Sequence, residues 1–216
     1  MITLINQLRG VELLVVSIAL ALVLVMSFTL HEFAHAMTAY KCGDYTPKSD
    51  NRLTLNPIYH LDPIGFLCCF LFCFGWAKPV RINPINFKHY KKDMFLVSIA
   101  GVLTNLALAL VFSFLFVLLS RFEVTNYYAM FILYFCNFAY VINISLFVFN
   151  LLPVYPLDGF NAINALTKYD NKFVLFMQKY GSYILLFILV FCSPVIEYIV
   201  SAIEYPILKL WTLILG

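Results

Sequence analysis

Residues 13–35 read LLVVSIALALVLVMSFTLHEFAH, an apolar run that ends in a cluster of ionisable side chains. A membrane-spanning helix needs about 20 residues at a rise of about 1.5 Å each, and this run is close to that length. A cleavable signal peptide would have a shorter apolar core, followed by a small-residue cleavage site. Here the run continues directly into the ionisable residues, so we expect one retained membrane helix.

The composition of the whole chain supports the same class. Of 216 residues, 63% are hydrophobic and 12% are charged, and the mean hydropathy is +0.90. Soluble domains carry about 25% charged residues, so an ordinary water-soluble enzyme is excluded and a polytopic membrane protein is predicted. The net charge of +3 is too small to indicate a nucleic-acid partner.

Four or five apolar stretches are long enough to span a bilayer. They cover residues 11–40, 94–120, 127–152 and 173–192, with a weaker fifth stretch at 195–215. Charged residues and a proline dilute the fifth stretch, which either spans or lies partly in the interface. We therefore predict an all-α polytopic membrane protein of four to five helices, forming a single domain over residues 1–216.

The segment at residues 41–93 separates the first two spans. Within it, residues 64–76 are strongly apolar but too few to cross, which predicts a membrane-dipping element. Residues 52–56 alternate polar and apolar side chains, which predicts a short strand paired with residues 78–82. The segment is therefore expected to be partly β and re-entrant.

The distribution of basic residues predicts the orientation. Eight of the 14 basic residues lie in the segment at 41–93, namely Lys41, Lys48, Arg52, Lys78, Arg81, Lys88, Lys91 and Lys92. The loop at residues 121–126 carries only one. By the positive-inside rule, the long segment is cytoplasmic and the short loop is external.

His31, Glu32 and His35 form an HExxH motif at the cytoplasmic end of the first span. Residues four apart on a helix point the same way, so both imidazoles can hold one zinc ion. Glu32, about 100° round the helix, can act as general base on water. Ionisable residues at a helix end can simply contact headgroups, but burying three of them in this spacing is costly without a function.

A zinc site of this type needs a third protein ligand and one open position. The residues directly after His35 offer none. The candidates elsewhere are His60, Asp62, His89 and Asp158. Asp158 is favoured because it follows the third apolar run and two prolines and precedes a glycine. If residues 64–76 dip and return, Asp158 reaches the same membrane face as the histidines; a full crossing would separate them.

Taken together, these motifs resemble the site-2 protease family of intramembrane zinc metalloproteases. The resemblance rests on HEFAH (31–35) and NLLPVYPLDG (150–159), and the stretches RLTLNPIYHLDPIG (52–65), GWAKPVRINP (75–84) and AGVLTN (100–105) resemble its short bacterial branch. It covers about residues 30–164, whereas the last 45 or so residues match only a general expectation of further helices.

The resemblance implies roles for individual residues. It implies that His31, His35 and Asp158 bind Zn²⁺, that Glu32 is the general base, and that Asn150 helps to polarise the scissile carbonyl. Asn150 and Asn105 could equally serve in hydrogen bonds between helices. His60 is expected to be structural or to gate the substrate.

The implied reaction is hydrolysis of a peptide bond within or near the membrane span of a single-span protein, such as an anti-sigma factor or a remnant signal peptide. The implied location is the bacterial inner membrane, with the site facing the cytoplasm and the lipid bilayer as a partner. An edge strand at residues 52–56 would bind the unwound substrate by β-addition. A zinc transporter is the alternative, since HExxH also occurs on transporter helices, although a His-rich loop is missing from a chain with four histidines.

Overall fold

The described part of the chain is built from α-helices. The computed structural model describes residues 10–72, 75–168 and 170–216. Within them the helices are α1 Val11–Lys41, α2 Thr46–Ser49, α3 Pro63–Phe72, α4 Tyr90–Leu119, α5 Tyr127–Asn150, α6 Asp158–Leu166, α7 Lys172–Phe191 and α8 Ser193–Leu215. Two 3₁₀ turns, Pro57–Tyr59 and Pro84–Asn86, lie between α2 and α4.

Five of the described helices, α1, α4, α5, α7 and α8, are long and apolar enough to cross a membrane. The prediction of an all-α polytopic membrane protein is therefore confirmed. The weak fifth stretch forms a helix of 23 residues, which is long enough to span.

The core lies where α1, α4 and α5 pack against one another. Val16, Leu20 and Val23 of α1 are buried against Ala139 and Ile142 of α5. The spacing of three or four residues places them on one face of α1. The same face continues through Ser27 to His31 and His35, all buried, so the two histidines extend the core stripe of α1.

The apolar stretch between α1 and α4 begins and ends at neighbouring points in the structure. Helix α3 has 10 residues, about 15 Å at 1.5 Å per residue, which is half the thickness of a hydrocarbon core. Leu61 before it and Ala77 after it form an isolated antiparallel bridge, and the Lys78 amide donates to the His60 carbonyl at 2.9 Å. Residues 73 and 74, within the predicted dip, lie outside the described residues. Helix α4 accordingly starts at the end where α1 stops.

The predicted strand at residues 52–56 is wrong, and so is its pairing with residues 78–82. Both segments are fully described, and neither contains a strand. The Lys78 and Pro79 carbonyls accept hydrogen bonds from the Arg52 guanidinium, at 3.0 and 3.1 Å, and not from the backbone of a partner strand. The Asn56 side chain caps the following 3₁₀ turn, and Pro79 has no N–H to give to a ladder. Alternation in this short segment therefore reflects local turns, and no edge strand is available there for β-addition.

Of the two C-terminal helices, α8 packs against the core. Val200 of α8 is buried with Ala109 of α4 and Tyr140 of α5. The Trp211 indole Nε1 donates to Ser113 Oγ of α4 at 2.8 Å. Helix α7 is exposed over most of its length, with Val174 and Gly181 as its buried residues.

Candidate metal centre

Three of the predicted side chains converge at the end of α1. His31 Nε2 and His35 Nε2 each lie 3.2 Å from Asp158 Oδ2, and the two Nε2 atoms lie 3.1 Å apart. Zinc at about 2.0–2.1 Å from tetrahedral ligands places the ligand atoms roughly 3.3 Å apart. The three atoms therefore have the spacing of one face of a zinc tetrahedron.

Asp158 reaches the histidines because the chain turns sharply after α5. That helix ends at Asn150, and Asp158 is the first residue of α6. Gly159 allows this turn, since a Cβ there would lie 2.6 Å from the Leu152 carbonyl oxygen.

A glycine on α4 makes room for the two imidazoles. A Cβ at Gly101 would overlap His35 Nε2 and would lie 2.6 Å from His31 Cε1. The rings are thus packed directly onto the backbone of α4. This cradle, together with two imidazoles and a carboxylate as donors, fits a zinc ion with room for one further ligand.

Both imidazoles are held through their second ring nitrogen. His35 Nδ1 donates to the Val97 carbonyl of α4 at 2.7 Å, and His31 Nδ1 lies 2.6 Å from Asn105 Oδ1. Metal-binding histidines commonly make such a bond with the nitrogen that does not face the metal. It leaves both Nε2 atoms directed at Asp158.

Glu32 lies beside the three converging residues and is also buried. Its Oε2 accepts a hydrogen bond from the Val80 amide at 3.1 Å. The segment that carries Val80 is held in turn by Arg52, through the two carbonyls described above. The carboxylate is therefore oriented by the chain that returns from α3.

The other candidate ligands do not join the histidine pair. His60 is fully buried, and its Nε2 donates to the Thr54 carbonyl at 2.7 Å. Burial lowers the pKa of His60, which keeps the imidazole neutral. Asp62 accepts the Gly65 amide at the start of α3, and the His89 backbone amide donates to Asp93. Of the four candidates, the structure brings only Asp158 to the histidine pair.

The two asparagines named from the sequence have different surroundings. Asn150 Nδ2 donates to the Leu146 carbonyl of its own helix at 3.0 Å. Asn105 bridges α1 and α5, with its Oδ1 at His31 and its Nδ2 at Asn143. The alternative of hydrogen bonds between helices thus describes Asn105.

Sequence reasoning missed Gly101, Asn143 and Ser27. Asn143 and Ser27 are polar residues inside apolar runs, and that interruption was the signal that could have drawn attention to them. Gly101 lies in the stretch AGVLTN (100–105), but a glycine in a membrane helix is common and did not by itself indicate contact with the histidines.

The whole chain is similar to proteins of one known family. The family model for Peptidase family M50 matches residues 122–192. YwhC of Bacillus subtilis (strain 168), named as a zinc metalloprotease, is 39% identical over 202 residues, which cover 90% of this chain and 91% of YwhC. Rip2 of Mycolicibacterium smegmatis, also named as a zinc metalloprotease, is 28% identical over 171 residues, covering 76% of this chain and 63% of Rip2. No solved structure gives a significant match.

Proposed function

The chain belongs to peptidase family M50, the site-2 protease family, and is an intramembrane zinc metalloprotease. We propose that His31, His35 and Asp158 are its zinc ligands. We propose that Glu32 is its general base. The observation that supports the ligand set is the meeting of two Nε2 atoms and one carboxylate oxygen within 3.2 Å of one another. Glu32 follows the first ligand directly on the same helix.

The proposed mechanism gives each residue one task. When bound, zinc supplies Lewis acidity, which polarises a peptide carbonyl and acidifies water. The Glu32 carboxylate takes one proton from the attacking water and delivers it to the departing amine nitrogen. The water oxygen forms a bond to the carbonyl carbon, the C–N bond breaks, and Glu32 ends as it began. The hydrogen bond from Val80 keeps the carboxylate oriented during both transfers.

Asn150 is proposed to donate a hydrogen bond to the scissile carbonyl. It is the last residue of α5 and directly precedes the turn that carries Asp158. Its NH₂ group uses one of its two hydrogens for Leu146, which leaves the second for a substrate carbonyl. Loss of one such donor costs about 10² to 10³ in kcat in a protease. We expect Asn150→Ala to lower kcat in this range at unchanged zinc content, and an unchanged kcat would contradict the role.

The proposed substrates are single-span membrane proteins, such as anti-sigma factors or remnant signal peptides. The support is that the site lies among helices able to cross a membrane, where a membrane-spanning substrate can reach it. A helical substrate hides its carbonyls in hydrogen bonds and must unwind locally before attack. Comparing membrane-derived fragments from cells with active protein and with a Glu32→Gln variant would identify the substrates. Finding only soluble proteins among them would contradict the proposal.

The proposed location is the bacterial inner membrane, with the site toward the cytoplasm. Seven basic residues within 41–93 are exposed at the end that carries the site, namely Lys41, Lys48, Lys78, Arg81, Lys88, Lys91 and Lys92. They favour the cytoplasmic face and its anionic headgroups. A cysteine introduced at Lys91 should react with an impermeant thiol reagent only after the cells are opened, and one at Glu123 should react in intact cells. The reverse result would invert the orientation.

Glu32→Gln is the decisive test of the reaction. We expect the purified variant to lose cleavage of a membrane-anchored peptide and to keep one zinc per chain, because the amide cannot take a proton but the ligands are intact. Glu12→Gln, the same substitution in the exposed first turn of α1, is the matched control and should cleave normally. Cleavage that survives Glu32→Gln would exclude Glu32 as the base. Zinc flux into vesicles that survives it would favour the transporter alternative.

A further inference from the structure

A line of buried hydrogen bonds leads from His31 across two helices. His31 Nδ1 lies 2.6 Å from Asn105 Oδ1, and Asn105 Nδ2 donates to Asn143 Oδ1 at 2.8 Å. Asn143 Nδ2 then donates to Ser27 Oγ at 2.8 Å and to the Ala139 carbonyl at 2.7 Å. Ser27, Asn105 and Asn143 are fully buried. The line thus joins α1, α4 and α5 without access to water.

The far end of this line fixes the direction of every bond in it. The Ala139 carbonyl can only accept, so Asn143 must turn its NH₂ group toward Ala139 and its oxygen toward Asn105. Asn105 must then donate to that oxygen, which turns its own oxygen toward His31. An amide oxygen also only accepts, so the proton between Asn105 and His31 belongs to His31 Nδ1.

The position of that proton matters for metal binding. A neutral imidazole carries one proton, and a proton on Nδ1 leaves the lone pair on Nε2. His31 Nε2 is the atom that faces His35 and Asp158. His35 has the same tautomer, with its proton on Nδ1, because its Nδ1 donates directly to the Val97 carbonyl. Both histidines are therefore oriented by a backbone carbonyl, one directly and the other through two asparagines.

We propose that Asn143 is a positioning residue for zinc: it holds the Asn105 amide in the one orientation that requires the Nδ1–H tautomer of His31, leaving Nε2 ready to bind. The inference rests on the zinc ligands proposed above. Without Asn143, the Asn105 amide can turn by about 180° and present its NH₂ group to His31. That orientation favours the tautomer with the proton on Nε2, which has no lone pair for zinc.

The first test replaces Asn143 by leucine, which has a similar size and no amide. We expect the zinc dissociation constant, measured by competition with a chromophoric chelator in detergent, to rise roughly tenfold or more, as for other residues that orient metal ligands. Ser113→Ala is the matched control, because it removes a 2.8 Å hydrogen bond between α4 and α8 at another fully buried residue, outside the line that leads to His31, and should leave zinc affinity unchanged. Asn143→Ala serves if leucine does not fit.

The second test separates orientation from packing. In an Asn105→Asp background both side-chain oxygens accept, so turning the carboxylate changes nothing for His31. We expect Asn143→Leu to weaken zinc binding in the native background but not in Asn105→Asp. Equal weakening in both backgrounds would mean that Asn143 acts by packing alone and would overturn the proposal, as would an unchanged affinity of Asn143→Leu in the native background. Absence of zinc binding by the unmodified protein would instead overturn the ligand set and the inference with it.

Discussion

The helices that carry the site and the two C-terminal helices are stabilised in different ways. Helices α1, α4 and α5 share a buried polar network through Ser27, Asn105 and Asn143. Helices α7 and α8 have few buried residues and expose large apolar side chains such as Phe187 and Tyr198. The first region is held by a continuous buried network of hydrogen bonds, whereas the second has isolated bonds to the core, such as Trp211 to Ser113, and otherwise exposes apolar surface.

The difference between the two regions follows from the lipid that surrounds the helices. Lipid tails are as apolar as leucine, so apolar contacts between helices in a bilayer gain little over contacts with lipid and do not fix one arrangement. Hydrogen bonds and close backbone approach do fix it. A zinc site needs ligand atoms placed to a few tenths of an ångström, and the proposed site lies where glycine and amides bring helices together. The same substitution should therefore have a much larger effect on zinc in the first region than in the second.

Gly101→Ala should give the largest effect. In a helix alanine is normally favoured over glycine by about 1 kcal/mol, but here the added Cβ would overlap His35 and lie 2.6 Å from His31. The imidazoles must move, so we expect the zinc dissociation constant to rise roughly 100-fold, the upper range for changes around a metal ligand. Chelator competition measures it, and thermal unfolding in excess chelator checks the fold. Native zinc affinity in a folded Gly101→Ala variant would show that the rings do not pack on α4.

The sequence was sufficient to predict the parts of the site that depend on local spacing. His31 and His35 are one helical turn apart, and no tertiary contact is needed to align them. Asp158 could be chosen because a dip at residues 64–76 keeps the two ends of that segment on one side of the membrane. In the structure the two ends meet, since Leu61 and Ala77 form an antiparallel bridge. Length against membrane thickness was enough for that step.

The parts that sequence reasoning missed depend on how helices pair. Asn143 meets Asn105 across a separation of 38 residues, and periodicity within one helix does not set the register between two. The predicted strand at residues 52–56 failed for a related reason, since Arg52 uses its side chain to hold the carbonyls that a strand would have paired. Alternation over five residues cannot tell a strand from a series of turns.

Gly181→Ala is the matched substitution in the second region and should have an intermediate effect. A Cβ at Gly181 on α7 would lie 2.7 Å from Tyr155 Cβ and 2.9 Å from the Tyr155 carbonyl oxygen. Tyr155 lies in the turn that leads to Asp158, so a shift there reaches one of the three proposed ligands. We expect the zinc dissociation constant to rise less than tenfold, measured in the same competition assay. An effect as large as that of Gly101→Ala would show that α7 belongs to the metal site rather than to the surrounding surface.

Trp211→Phe should have the smallest effect, because it removes one bond between α8 and the core and nothing from the site. The indole donates to Ser113 Oγ, and Ser113 keeps its own bond to the Leu110 carbonyl when the indole is gone. Phenylalanine preserves an aromatic ring next to Phe114, so the change isolates the N–H group. Hydrogen bonds between membrane helices contribute about 0.6 kcal/mol on average, so we expect a loss of that order in unfolding free energy, measured by titration with a denaturing detergent. Zinc affinity should be unchanged, because α8 touches the site only through α4 and α5. If Trp211→Phe weakened zinc binding as much as Gly181→Ala does, the division between a precise core and an apolar C-terminal pair would not hold.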